Sequence, residues 1–171
     1  YGNATKIGFV FQEPRLMPWL TVADNIAFAA RNDTSLPKAP SEELLELLGL
    51  KEFRLAYPAQ LSGGMAQRAA LGRTLFQNPD LILMDEPFSA LDYFTRRSLQ
   101  QMLLELFHRQ KKSIIFVTHD VEEALLLGQR ILVMQEGSIK SDRTVDMAYP
   151  RQPASLPFQQ LRLQILNAIE N

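Results

Sequence analysis

Three short runs dominated by apolar residues punctuate the chain: Ile7-Gly8-Phe9-Val10-Phe11, Leu81-Ile82-Leu83-Met84 and Ser113-Ile114-Ile115-Phe116-Val117. None alternates polar with apolar, the pattern of parallel strands buried on both faces. Between and after them, apolar residues recur at helical spacing. Thr21 is placed to cap a helix running through Arg31, with Val22, Ile26 and Ala29 or Ala30 on one side. Ser41 caps a second, with Glu42 and Glu43 in its first turn, leucines at 44, 45, 47 and 48, and Gly49 to end it. A third covers Ala66 to Phe76 behind Ser62-Gly63-Gly64. Leu99, Met102, Leu103, Leu106 and Phe107 form one face of a fourth that reaches Gln110.

Asp120 caps a further helix containing Glu122-Glu123-Ala124-Leu125, and residues 130–134 and 138–140 around Gly137 predict a hairpin. A last helix follows the Pro-rich stretch Pro150 to Pro157, with Phe158, Leu161, Ile165 and Ile169 along one stripe. Glu13 to Leu20 carries two prolines and is irregular, and Asn32 to Pro40 is a polar link. Strand–helix–strand alternation predicts the α/β class, with a mainly parallel sheet and right-handed crossovers.

Composition narrows the function classes. The 171 residues are about one domain, and a net charge of −1 gives no reason to expect nucleic acid as a partner. The absence of cysteine excludes disulfides and thiolate-ligated metals. No apolar run approaches the ~20 residues that span a bilayer, so membrane association has to pass through a protein partner.

Candidate chemistry gathers at strand and helix ends. Ser62-Gly63-Gly64 opens a helix, where unpaired N–H groups and the positive end of the dipole suit a phosphate; taken by themselves, these three residues read first as an ordinary Ser cap after a Gly turn. Asp85 and Glu86 close the second apolar run, where open α/β sheets bind ligands. One carboxylate there can hold Mg²⁺ while the other polarises a water, or the pair marks only the strand's emergence at the surface. Gln12 follows the first run and can both donate and accept. His119 follows the third, at the same predicted sheet edge as Glu86, and is either a structural hydrogen-bonder or a phosphate contact.

In combination, Leu61-Ser62-Gly63-Gly64-Met65-Ala66-Gln67-Arg68, the run Leu81–Glu86 and Ser89-Ala90-Leu91-Asp92 resemble the ATPase subunit of an ABC transporter. The likeness extends over essentially the whole chain. It implies a P-loop NTPase-like sheet with a helical subdomain inserted between the Q-loop and the signature. Residues of about 16–75 would be that helical and signature part, 1–15 and 76–150 the RecA-like core, and 151–171 a C-terminal helix. The resemblance assigns Glu86, His119 and Gln12 to catalysis and Asp85 and Gln12 to Mg²⁺. It assigns Ser62, Gly63, Gly64, Gln67 and Asp92 to ATP, the signature serving the nucleotide held by a second ATPase subunit.

Implied partners are transmembrane permease subunits, a second copy and, indirectly, a solute-binding protein, at the cytoplasmic face of the cell membrane. The string Gln12 to Phe28 resembles the nitrate, sulfonate and taurine importers. In that family the segment holding Trp19 helps form a groove for a coupling helix of the permease; a packed core aromatic reads equally well. Gly72-Arg73-Thr74-Leu75 stands where the family usually has Ala-Arg-Ala-Leu. No Gly-x-x-x-x-Gly-Lys-Ser/Thr occurs, so the chain is read as N-terminally incomplete and inactive by itself. The alternatives are a non-transport ABC ATPase and a degenerate ABC binding module.

Overall fold

Strands β1 (Ile7–Val10), β2 (Leu81–Asp85) and β3 (Ser113–Val117) pair in parallel in the order β1-β2-β3. The structure is a computed structural model that describes residues 5–89, 91–110 and 112–170; Ala90 of the run Ser89–Asp92 and the first four residues lie outside it. The described residues divide into two compact units, one up to Val117 and one from Thr118.

In the first unit the helices are α1 (Val22–Ile26), α2 (Glu42–Leu47), α3 (Gly63–Phe76) and α4 (Tyr93–Gln110). The expected helix from Thr21 to Arg31 changes character halfway, continuing as a 3₁₀ segment over Ala27–Arg31. Thr21 caps it as predicted, its hydroxyl accepting from the Asp24 amide at 3.2 Å. Ser41 caps α2 in the same way through the Leu44 amide. Gly49 ends α2 with φ +62°. The Leu50 amide then reaches back to the Leu45 carbonyl and the Gly49 amide to that of Glu46, both at 2.9 Å, the paired bonds of a Schellman motif.

Burial of the sheet corrects one expectation. The apolar runs predict strands covered on both faces, yet the burial alternates. Gly8, Val10, Ile82 and Met84 are buried, and Val10 and Met84 line one small void with Gln67 and Leu71 of α3 and Leu99 and Leu103 of α4. On the other face Ile7, Phe9, Ile115 and Val117 remain 50–59% exposed. In the first unit α3 and α4 lie together against the Val10 and Met84 side, and among its described residues no helix covers Ile7, Phe9, Ile115 and Val117. The run identifies a strand but cannot say how many layers cover it.

The second unit holds α5 (Val121–Leu127), a hairpin of β4 (Arg130–Gln135) and β5 (Ser138–Thr144), and α6 (Leu156–Glu170). Glu136 and Gly137, with φ +50° and +77°, make the tight turn that matches strand twist. Leu125, Leu126, Ile131, Val133, Val145, Phe158 and Ile165 form its core. The predicted α6 stripe therefore stops at Ile165, and Ile169 is 45% exposed. Arg151 is buried and donates to the Leu125 and Gly128 carbonyls at 2.6 Å each, satisfying acceptors that the end of α5 leaves open.

Gly49→Ala is expected to destabilise the protein by about 1–3 kcal/mol, because a left-handed non-glycine is strained. The added Cβ would also lie 2.7 Å from Nη1 of Arg68. Equilibrium urea unfolding measures the loss.

Candidate functional site

Parallel pairing sets Val10 opposite Met84, so the chain leaves β1 and β2 side by side and in the same direction. Gln12 and Glu86, 74 residues apart, consequently meet: Nε2 of Gln12 lies 3.5 Å from Oε2 of Glu86 and donates to Oγ of Ser89 at 3.1 Å. The Ser89 hydroxyl in turn donates to the Glu86 carbonyl at 3.0 Å, and the Glu86 amide donates to the Val117 carbonyl at 3.0 Å. Glu86 has φ +40°, so the backbone turns sharply as β2 ends. Left-handed geometry disfavours an L residue by roughly 1–2 kcal/mol, and these bonds on both sides hold it there. Asp85, the last residue of β2, is exposed beside half-buried Glu86.

The two signature glycines do different things. Ser62 caps α3, its hydroxyl accepting from the Met65 amide at 3.2 Å. A Cβ on Gly63 would meet nothing within 4 Å, so that backbone is open to an approaching group. A Cβ on Gly64 would lie 1.9 Å from Cγ2 of Thr95. Gly64 is thus required by the first turn of α4, which packs against it. Asp92 caps that turn, its Oδ1 accepting from the Phe94 and Thr95 amides at 3.1 Å each. Hydrogen bonds from the Thr95 hydroxyl, then from the Thr95 and Phe94 amides, hold the Asp92 carboxyl below its ordinary value.

Gln67 is buried, and its amide donates to the Phe11 carbonyl at 3.0 Å, immediately before Gln12. Two more residues of α3 grip the same segment. Thr74 donates to the Phe9 carbonyl at 2.8 Å, and Arg73 donates to the carbonyls of Arg15 at 2.9 Å and Pro14 at 3.1 Å. Gly72 is a packing position as well: a Cβ there would come within 2.5 Å of Cδ1 of Leu48 and 3.2 Å of Cδ1 of Ile26. Trp19, weighed between a groove and the core, is 69% exposed.

His119 belongs to the second unit and is exposed. It lies between two anchored neighbours. The Thr118 hydroxyl donates to Oε2 of Glu123 at 2.7 Å, and the Asp120 carboxylate caps α5 through the Glu122 amide at 2.8 Å. Two site residues escape a reading of the sequence. Ser89 is visible only as part of a run, and Arg73 only as a charge within a helix that is mostly buried.

A profile of the ABC transporter family matches residues 3–89. The aliphatic sulfonates import ATP-binding protein SsuB 1 of Paracoccus denitrificans is 44% identical over 169 residues, covering 99% of this chain and 69% of the relative. The SsuB 2 protein of the same description from Burkholderia cenocepacia is 48% identical over 167 residues, covering 95% of this chain and 61% of its own length. Among solved structures, the ATP-binding cassette MJ0796, a dimer in a post-hydrolysis state with ADP and Pi, superposes with a TM-score of 0.69 at 34% identity, over 84% of this chain and 65% of that one. The chain belongs to the ABC transporter family, and its fold is that of the ABC ATPase cassettes.

The contrast between the glycines is measurable. Gly64→Ala is expected to lose about 1–3 kcal/mol of stability through overpacking, while Gly63→Ala leaves stability within about 1 kcal/mol. Denaturant midpoints of the two variants decide it. For Asp92, the stabilisation from its cap is complete above the ordinary carboxyl value of 3.8 and is lost as pH falls through the lowered folded value. An NMR titration of the Asp92 carboxyl carbon should place its midpoint below 3.8.

Proposed function

We propose that the chain is the main part of the ATP-hydrolysing subunit of an ABC importer, of the sulfonate type for which its relatives are named. Its uptake substrate belongs to the nitrate, sulfonate and taurine group. The observation that supports this best is the meeting of Gln12, Glu86 and Ser89 at the ends of two parallel strands in a chain of this family. Because the chain spans 69% and 61% of two relatives' lengths, the activity is that of a subunit of their size. The 171 residues contain no Gly-x-x-x-x-Gly-Lys-Ser/Thr loop to cradle the phosphates, and this stretch alone is expected to be inactive.

The residues present suit ATP and Mg²⁺. Carboxylate and amide oxygens from Asp85 and Gln12 are the hard donors Mg²⁺ takes, one or two at a time, beside phosphate oxygens and water. Bound there, the ion supplies charge neutralisation for the phosphates. Glu86 accepts a proton from water as general base, its carboxylate oriented by Gln12. Ser62 and the open Gly63 present the start of α3 to the nucleotide of a second subunit, with Gly64 and Gln67 shaping it from below. Asp92, at the head of α4, carries contacts across that dimer, and His119 contacts the terminal phosphate. Segment 16–75 serves as the helical subdomain, 1–15 and 76–150 as the core, and 151–171 as the C-terminal helix.

Among the described residues no helix is long and apolar enough to cross a membrane. Permease subunits hold the dimer at the cytoplasmic face, and a solute-binding protein delivers the substrate to them.

Glu86→Gln in the whole subunit, assembled with its permease, should lower ATP turnover by about a hundredfold or more while ATP still binds. Sustained hydrolysis by that variant sinks the assignment.

A further inference from the structure

The loop that carries Gln12 is held from outside itself. Between β1 and α1 the chain has no strand partner, and Pro14 has no amide to donate. Its carbonyls are instead taken by side chains of α3: that of Phe11 by Gln67, and those of Pro14 and Arg15 by the two terminal nitrogens of Arg73. Arg15 has φ +47°, a conformation an L residue keeps only when its surroundings enforce it. Two contacts do so here. Arg73 binds the Arg15 carbonyl, and the Arg15 guanidinium lies 4.2 Å from the centroid of the Phe11 ring, closing the segment 11–15 on itself.

Arg73 is suited to this task and to little else at its position. It sits in the last turn of a helix whose neighbours Gly72, Thr74 and Leu75 are all buried. An apolar residue would fill that space at lower desolvation cost. A planar guanidinium can chelate two successive carbonyls, which an ammonium cannot do with one geometry.

We propose that Arg73 is a positioning residue for hydrolysis: by chelating the Pro14 and Arg15 carbonyls it sets the loop conformation that aims Gln12 at Glu86 and Ser89. The inference rests on the reading of Gln12 and Glu86 as a hydrolytic pair. It makes the signature helix and the Gln12 loop one mechanical piece, so that a shift of α3 moves Gln12 with it.

The test is a double-mutant cycle on ATP turnover by the whole subunit assembled with its permease in liposomes. Arg73→Gln should lower kcat roughly ten- to a hundredfold, with KM for ATP unchanged within about twofold, as expected of a misplaced group. In a Gln12→Ala background the same substitution should change kcat by less than about twofold, since the group it positions is gone. An equal loss in both backgrounds overturns the inference and leaves the role of Gln12 intact. Full turnover by Gln12→Ala alone overturns the reading of the site itself. If Arg73→Gln does not fold, Arg73→Lys, which keeps the charge but not the planar fork, is carried through the same cycle and read by the same criteria.

Discussion

The parallel register of β1 against β2 is the constraint on which the rest of the molecule depends. Ile7 pairs with Leu81 and Val10 with Met84, and β3 continues the register with Met84 opposite Phe116. Parallel strands all end on one edge, so whatever follows each of them emerges together. That common edge brings Gln12 and Glu86 within reach of each other, and the Glu86 amide finds the end of β3 in the Val117 carbonyl. A one-residue slip would send each side chain to the opposite face and separate the pair.

Close approach of α3 to its neighbours is the second condition. Small residues allow it at three places. A Cβ at Gly8 would stand 2.4 Å from Cγ2 of Thr74, one at Gly72 would meet Leu48 and Ile26, and one at Gly64 would meet Thr95. Thr74 fills the space that Gly8 leaves and uses its hydroxyl on the Phe9 carbonyl. The departure at Gly72, which helix propensity alone marks as a loss of ~1 kcal/mol, is compensated by the packing of two buried side chains. The helix that presents the signature at its first turn therefore touches β1, α1, α2 and α4 along its length.

In the second unit the same economy of local bonds anchors the ends of α5. Asp120 caps its start, and Arg151 and Tyr149 satisfy carbonyls at its finish, the Tyr149 hydroxyl donating to Leu127 at 2.6 Å. His119 is presented from a short stretch whose neighbours on both sides are engaged, which restricts its backbone without burying its ring.

Helix caps at Thr21, Ser41, Ser62 and Asp120, the αL stop at Gly49 and the Gly137 hairpin were all legible in the sequence, because each is made by residues within a few positions of one another. So were the three strands, the α/β class and the family. The number of layers on the sheet was not, since an apolar run reads the same whether one face or two are covered. Nor was the difference between Gly63 and Gly64, or the use of Ser89 and Arg73. Those depend on contacts between residues 31 to 77 positions apart, such as Gly64 with Thr95 and Gln12 with Ser89. The amino-acid sequence by itself determined the elements, their ends and the kinship of the chain. Only the tertiary structure decided which atoms meet, because long-range pairing follows from register and packing, and neither leaves a local pattern to read.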